Sequence, residues 1–402
     1  MIKTFELDGS IKNALHKYIT LHLKDINPYT CELHYAQALS QFMFSALISA
    51  DDREGVALSK LIRKVQNSTV PSIPTVHIKN IAGEPPGTLM APREIRGFDY
   101  STNCYDRMKI CFFTEWISWA LALLFRHTNI IHPSEHGGKN RFHMVSPICD
   151  QGSRTLSAST GGGEFLQHSD ATVYTAIKTT RELEQYLKRL GTSSSISARV
   201  LGLSEKDFRA QVLCGKYSRV DATMLTGIVN KNTKTLITSP EILQKYLIEQ
   251  GFGQSEFKKL SEMPVAHIAG PADGEISGFV GNIVPPLLLS DQGEILGTCI
   301  NLASHRMVYV GNNEEDKALF AEFCEHAIAC PSLEVVVEAS DILLFPNLAS
   351  KDQRNVTHGR EKIANDSYNV EVDGVVLRRS LCRQYLVHCN ALDIEEQNYG
   401  TC

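Results

Sequence analysis

Through the first third of the chain, apolar residues recur at helical spacing. Ile11, Leu15, Ile19 and Leu23 share one face of a predicted helix, and Ala36, Leu39, Phe42, Leu47 and Ile48 that of the next. Residues 54–66 and 107–127 continue this helical texture, and Tyr105, Trp116 and Trp119 are expected in or near the core. The intervening stretch IAGEPPGTLMAPREIRGFDY is dense in turn formers and reads as a loop bordering a pocket.

From about residue 141 the period changes. The runs RFHMVSPI, GEFLQHSDATVY, ATMLTGIVN, GEILGTCINLA, RMVYVG, LEVVVEASDILLFPN and GVVLRRSLCRQYLVH are short, rich in β-formers and separated by turn signals, as in an all-β sandwich or barrel. Two stretches interrupt them. Residues 178–220 contain helical pieces (RELEQYLKRLG and SEKDFRAQVLC), and a helix near 313–330 opens with Asn312 as a cap and acids in its first turn. With no internal repeat or linker, the pattern predicts one domain over 1–402. Its 1–130 part is mainly helical, and 131–390 form a mainly β jelly roll, a double-stranded β-helix flanked by N-terminal and inserted helices.

Composition narrows the function classes. The chain is 43% hydrophobic and 21% charged with a net charge of −5, so a core is affordable and no basic field invites nucleic acid. The most apolar segment, ICFFTEWISWALALLF, is broken by Glu115 and too short to span a bilayer; a buried helix is expected. The N-terminal residues carry early acids and no continuous apolar run, unlike a secretory signal. Eleven cysteines occur without a CxxC pair, and the spacing of Cys324 and Cys330 does not suit zinc. Reduced thiols packed as small hydrophobes in a cytoplasmic enzyme are the expectation, with a small molecule as partner and neither nucleic acid nor membrane. Oligomeric state is not legible.

Candidate chemistry begins with one triplet. Of fourteen histidines, only His168 is followed two residues on by an acid, Asp170. Residues i and i+2 of an extended strand point to the same side, so both can reach one ion. Two imidazoles and one carboxylate on one face of an octahedron leave three positions open for a cosubstrate and oxygen. His358, beyond the apolar strand Asp341 to Phe345, is the candidate third ligand. Some twenty residues further, LRRSLCRQYLV carries Arg378, Arg379 and Arg383 in a strand, and arginines in a buried strand need anions.

Over roughly residues 130–388 the order of these segments resembles the clavaminate synthase-like branch of the taurine dioxygenase superfamily. EHGGKNRFHMVSPI is similar to the strand before the metal motif, and TLSASTGGGEFLQHSDATVY to the small-residue turn, strand and His-x-acid pair. DATMLTGIVNKNTKTLITSPEIL resembles the strand and turn that carry a Thr-Leu pair before a helix. SDILLFPNLASKDQRNVTHGRE resembles the strand-loop-strand with the distal His-x-Arg, and DGVVLRRSLCRQYLV the strand with two arginines four apart.

The resemblance implies an Fe(II)- and 2-oxoglutarate-dependent oxygenase that uses O2 to hydroxylate a free L-amino acid, with a cationic or amide side chain expected, releasing succinate and CO2, in secondary metabolism. It implies His168, Asp170 and His358 as iron ligands. Arg379 and Thr235 would hold the far carboxylate of 2-oxoglutarate, and Arg383 the substrate carboxylate, with Glu135 and Ser159 at the substrate pocket. Asp at position 170 replaces the commoner Glu and disfavours halogenation, since halide cannot take a carboxylate's place. The interval after His358 is longer than usual, so Arg378 competes with Arg379, and the four-residue step to Arg383 favours Arg379. Insertion 178–220 stands where relatives place a lid, and Asn301 and Arg306 where they select the substrate side chain. Arg360 is expected to brace the His358 loop, His136 and His143 to be packed or exposed, and Thr235 could instead cap the helix near Pro240. A sulfonate-like substrate, or a non-catalytic binding protein, are the competing readings.

Overall fold

The computed structural model describes residues 2–28, 31–69, 73–82, 112–130, 141–145, 165–170, 175–214, 219–269, 279–302, 306–350, 353–362, 369–372 and 375–389. Helices and several sheets are mixed. The major sheet has seven strands, in the order Lys3–Glu6, Val76–Lys79, Ile342–Pro346, Ala222–Val229, Ser380–His388 and His127–Asn129, with His143–Val145 also paired to Ser380–His388. The first pair is parallel and the rest antiparallel. The helical first third therefore also gives three strands to this sheet. Each is only three or four residues long, too short for its period to register in the sequence.

Alternation along the strands divides the sheet's two faces. Met224, Ile342, Leu344, Cys382 and Leu386 face the N-terminal helices Gly9–His22, Leu33–Ser49, Arg53–Gln66 and Phe113–Leu124. The first helix buries Ile11, Leu15 and Ile19 as expected, and Asp8 caps it by accepting from the Ser10 N–H. The second buries Ala36, Leu39, Met43 and Leu47. Ile48, expected on that face, is exposed, because one residue beyond Leu47 turns it about 100° away. Trp116 and Trp119 are fully buried, and the Trp119 indole N–H donates to Thr128 Oγ1 at 3.1 Å. Tyr105 lies outside the described residues.

The opposite face presents Leu225, Leu343, Phe345 and Leu381, which share one core with Ile237, Val335, Val337 and Val356. Ile237 and Val335 belong to a second, four-stranded antiparallel sheet ordered Leu333–Val336, Lys234–Thr238, Thr357–Arg360 and Phe165–His168. The two sheets thus meet across an apolar layer.

A third sheet, Met307–Tyr309, Val265–Ala269 and Phe279–Ile283, supports the insertion. Helices Thr180–Arg189, Ser194–Val200 and Glu205–Leu213 set Leu183, Leu187, Phe208 and Val212 against Ala266, Val280, Ile283 and Val310. The middle helix was not anticipated; its run SSISARV is too short and serine-rich to show a face. Helices Pro240–Glu249, Gln254–Leu260 and Glu314–Ala329 pack with the hairpin Leu287–Leu289 and Ile295–Thr298. The last of these helices is capped by Asn313 rather than Asn312: its side chain accepts from the N–H groups of Glu315 and Asp316. A hairpin, Asn369–Val372 with Val375–Arg378, precedes Ser380–His388. Among the described residues no helix is long and apolar enough to cross a membrane, and their cysteines are free thiols.

Candidate functional site

The site is built where the smaller sheet's inner edge meets the major sheet. In Phe165–His168 and Thr357–Arg360, His358 stands opposite His168 and Arg360 opposite Phe165. Gly359 alone therefore faces both Leu166 and Gln167, which makes a β-bulge. The bulge turns Phe165 and His168 to the same side, where simple alternation would oppose them; their rings lie 4.1 Å apart. Gly359 suits this crossing: a Cβ there would stand 2.6 Å from the Phe165 carbonyl oxygen.

His168, Asp170 and His358 converge, all three buried, with their donor atoms within 4.8 Å of one another. His168 Nδ1 lies 3.0 Å from the Leu166 carbonyl, which can only accept, so that nitrogen carries the proton. Nε2 is left with its lone pair and no hydrogen-bond partner among the described residues, 3.7 Å from Asp170 Oδ1. His358 Nε2 approaches Asp170 Oδ2 at 3.6 Å. Burial first, then its neighbour His168, pushes His358 down to about 3; burial likewise lowers His168, with the cations Arg383 and Arg306 adding to the effect. Burial opposes charge on Asp170, yet His358, Arg383, His168 and a Thr223 hydrogen bond outweigh it and hold the carboxyl well below its usual range. Two neutral imidazoles and one carboxylate, buried together, are the donor set that a divalent metal ion requires.

The support for Asp170 was not visible in the sequence. Thr223 Oγ1 donates to Asp170 Oδ2 at 2.7 Å and the Tyr385 hydroxyl to Oδ1 at 3.2 Å, both from the major sheet. Asn347 accepts the Asp170 N–H at 2.6 Å and donates to the Asp170 carbonyl at 2.9 Å, which locks the backbone beneath the carboxylate. Tyr385 carried one legible signal, since it lies two residues beyond Arg383 on the same face of a strand. Thr223 is a polar residue within an entirely buried strand, a weaker cue.

Beside His358 a cavity opens, lined by Thr235, Leu225, Arg360, Arg379, Leu381 and Arg383. Arg379, Leu381 and Arg383 are alternate residues, so the two arginines four apart share the face that looks into it. Arg379 is 1% exposed. Its Nε donates to Asn230 Oδ1 at 3.1 Å, while its Nη1 has no hydrogen-bond partner among the described residues. The Asn230 amide N–H groups are used by the Thr233 and Val337 carbonyls, which fixes the oxygen toward the arginine. Burial, with Arg360 beside it, pushes Arg379 down to about 9. A buried guanidinium with an open donor calls for an anion.

Thr235 sits in the strand Lys234–Thr238 facing this cavity, and the helix after it is capped by Ser239, so the capping alternative is excluded. Arg360, expected as a brace, lines the cavity as well. Arg383 lies over the Tyr385 ring at 4.7 Å, with Nη1 3.8 Å from Asp170 Oδ1. Asn301 forms an isolated bridge with His168. Glu135, His136 and Ser159 lie outside the described residues. His143 and Arg378 fall in strands paired with Arg383 and Asn369.

No protein-family model and no curated protein matches the chain by sequence. Solved structures do match in fold. One is asparagine oxygenase in complex with Fe(II), (2S,3S)-3-hydroxyasparagine and succinate, at TM-score 0.60 and 12% identity over 96% of this chain and 93% of that one. A second is the non-heme iron oxygenase OrfP with Fe, succinate and (3S)-hydroxy-L-Arg, at TM-score 0.53 and 13% identity over 96% and 94%. OrfP with Fe and α-ketoglutaric acid matches at TM-score 0.53 and 12% identity, over 98% and 96%. At such identity the likeness establishes a shared fold along nearly the whole of both chains.

Proposed function

We propose that this protein is an Fe(II)- and 2-oxoglutarate-dependent oxygenase that hydroxylates a C–H bond of a free L-amino acid, with release of succinate and CO2. The observation that carries the reading is the pairing of two features side by side. One is a buried two-histidine, one-carboxylate cluster; the other is a cavity in which Arg379 holds a donor open beside Thr235. A purely structural metal site needs the first and has no use for the second. The fold shared with amino-acid oxygenases supports the same reading.

In this account His168, Asp170 and His358 hold the iron, which supplies the oxidising chemistry when 2-oxoglutarate and O2 are bound. The protein's own work is positioning. The Leu166 carbonyl fixes the His168 tautomer, and Thr223, Tyr385 and Asn347 fix the Asp170 carboxylate. Arg379 and Thr235 orient the cosubstrate through its far carboxylate, and Arg383 receives the substrate carboxylate, with Glu135 and Ser159 assigned to the substrate side. The two facing sheets are assigned as the jelly-roll core of one domain spanning 1–402, and the insertion 178–220 as the cover over the substrate. The activity is placed in the cytoplasm, with no nucleic-acid or membrane partner.

The test is succinate release from 2-oxoglutarate under Fe(II) titration. The wild-type chain is expected to turn over only with Fe(II), and His358→Ala to lose at least a hundredfold in rate. A His358→Ala protein as active as the wild type would sink the proposed ligand set.

A further inference from the structure

The smaller sheet has two faces, and the metal ligands use only one. In Lys234–Thr238 and Leu333–Val336, Ile237 and Val335 point into the layer between the sheets, so Leu236 and Glu334, paired across the strands, point outward. Gly359 pairs with Leu236 on its other side and adds no side chain to this outward row. The bulge sends Leu166 and Gln167 outward together, since Phe165 and His168 both turn in. The end of helix Glu314–Ala329 and the turn after it cover this face. What remains is a cavity of about 200 Å3 between Leu166, Gln167, Leu236, Ile328, Cys330 and Ser332, with the exposed Glu334 at its mouth. One water takes up about 30 Å3 in the liquid, so the space exceeds what a single water fills.

The polar groups of the cavity are incompletely matched. Gln167 is 6% exposed, and its Nε2 donates to Ser332 Oγ at 2.9 Å, which lies 2.8 Å from Thr238 Oγ1. That bond leaves Gln167 Oε1 buried with no hydrogen-bond partner among the described residues. A buried carbonyl oxygen in this state is destabilising until a donor reaches it. At the mouth the demand is for positive charge. Glu334 pairs with Lys234 at 2.6 Å, and Glu361 accepts the Lys234 backbone N–H at 2.7 Å, so two carboxylates gather about one ammonium. Between the buried acceptor and the acidic mouth, Leu166, Leu236 and Ile328 offer only carbon. A molecule that fits all three zones has a neutral donor at its inner end, a short hydrocarbon chain, and a cation at its outer end.

We propose that this cavity is a second ligand site, on the back of the smaller sheet from the metal ligands, and that it takes a short amine with a neutral hydrogen-bond donor at its far end. An amino alcohol is the simplest such molecule. Its hydroxyl donates to Gln167 Oε1, and its ammonium stays at the wet mouth beside Glu334, where a charge keeps most of its hydration.

The experiment is calorimetric titration of the full chain with 4-amino-1-butanol, n-butylammonium and 4-hydroxybutyrate. Saturable one-to-one binding of 4-amino-1-butanol with a Kd of about 1 mM or below is expected. Butylammonium, which lacks the hydroxyl, is expected to bind about tenfold more weakly, and 4-hydroxybutyrate, with the charge reversed, to bind more weakly still. Gln167→Leu is expected to erase the advantage of the amino alcohol over butylammonium. Glu334→Gln, at an exposed position, is expected to weaken the amino alcohol about threefold and to leave its advantage over butylammonium in place. The inference is overturned if 4-amino-1-butanol shows no saturation up to roughly 10 mM, in which case the cavity holds water only. It is equally overturned if butylammonium or 4-hydroxybutyrate binds as tightly, or if a folded Gln167→Leu protein keeps the wild-type preference. Should Gln167→Leu fail to fold, an unchanged affinity in Glu334→Gln overturns it.

Discussion

At the scale of single residues, Arg379 carries the sharpest consequence. Arginine buried to 1% exposure with one donor group open is costly in the absence of an anion. A charge-assisted bond to a carboxylate contributes about 1.5–3 kcal/mol, so Arg379→Gln is expected to raise the KM for 2-oxoglutarate roughly ten- to a hundredfold. Without cosubstrate, the same variant is expected to melt at or above the wild-type temperature, because it removes a buried charge that Asn230 and Glu361 offset only in part. A purely structural arginine would show the reverse: an unchanged KM and a loss of several kcal/mol in stability. The residues proposed to hold a metal or an anion were legible because that chemistry demands particular types at particular spacings: His168 with Asp170, His358, and Arg379 with Arg383. Those that hold them were not. Asn347 lies 177 positions from Asp170 and Asn230 lies 149 from Arg379. An asparagine has many ordinary reasons to stand in a loop, and only folding shows which backbone it locks.

At the scale of elements, alternation explains most of the site. Arg379, Leu381, Arg383 and Tyr385 share one face of the strand region, while Cys382 and Leu386 pack on the helices behind. The bulge opposite Gly359 is the exception, since the alternation rule would have set Phe165 and His168 on opposite sides. A bulge has no period and cannot be read from hydrophobicity, though the glycine between His358 and Arg360 was its trace. Gly359→Ala places a methyl group against the Phe165 carbonyl and forces the edge strand to move. A loss of about 1–3 kcal/mol in stability is expected, with a tenfold or greater loss of Fe(II) affinity, measured by thermal melting and metal titration. If Fe(II) affinity is unchanged in a folded Gly359→Ala protein, the bulge does not set the ligand geometry. Helix ends were read less well than helix faces: the Asn313 cap falls one residue from the expected Asn312, since neighbouring asparagines are equal candidates until the backbone chooses.

At the scale of the whole molecule, the change of texture near residue 141 does not divide the major sheet. The strands Lys3–Glu6, Val76–Lys79 and His127–Asn129 come from the helical third and complete the major sheet, and the N-terminal helices cover its outer face. Strand order is a long-range property: Ile342–Pro346 lies between partners that begin at residues 76 and 222. No local pattern encodes that pairing. What the assembled fold accomplishes is to bring two histidines, one carboxylate and an anion-seeking arginine to one wall of the layer between the sheets. On the proposed function, metal and cosubstrate bind together at this wall. The most direct test is an anaerobic absorbance titration with Fe(II) and 2-oxoglutarate. A weak visible charge-transfer band is expected only when both are present, saturating at one equivalent of each per chain. The account is contradicted if a folded protein gives no band with both, or if the band persists undiminished in His358→Ala.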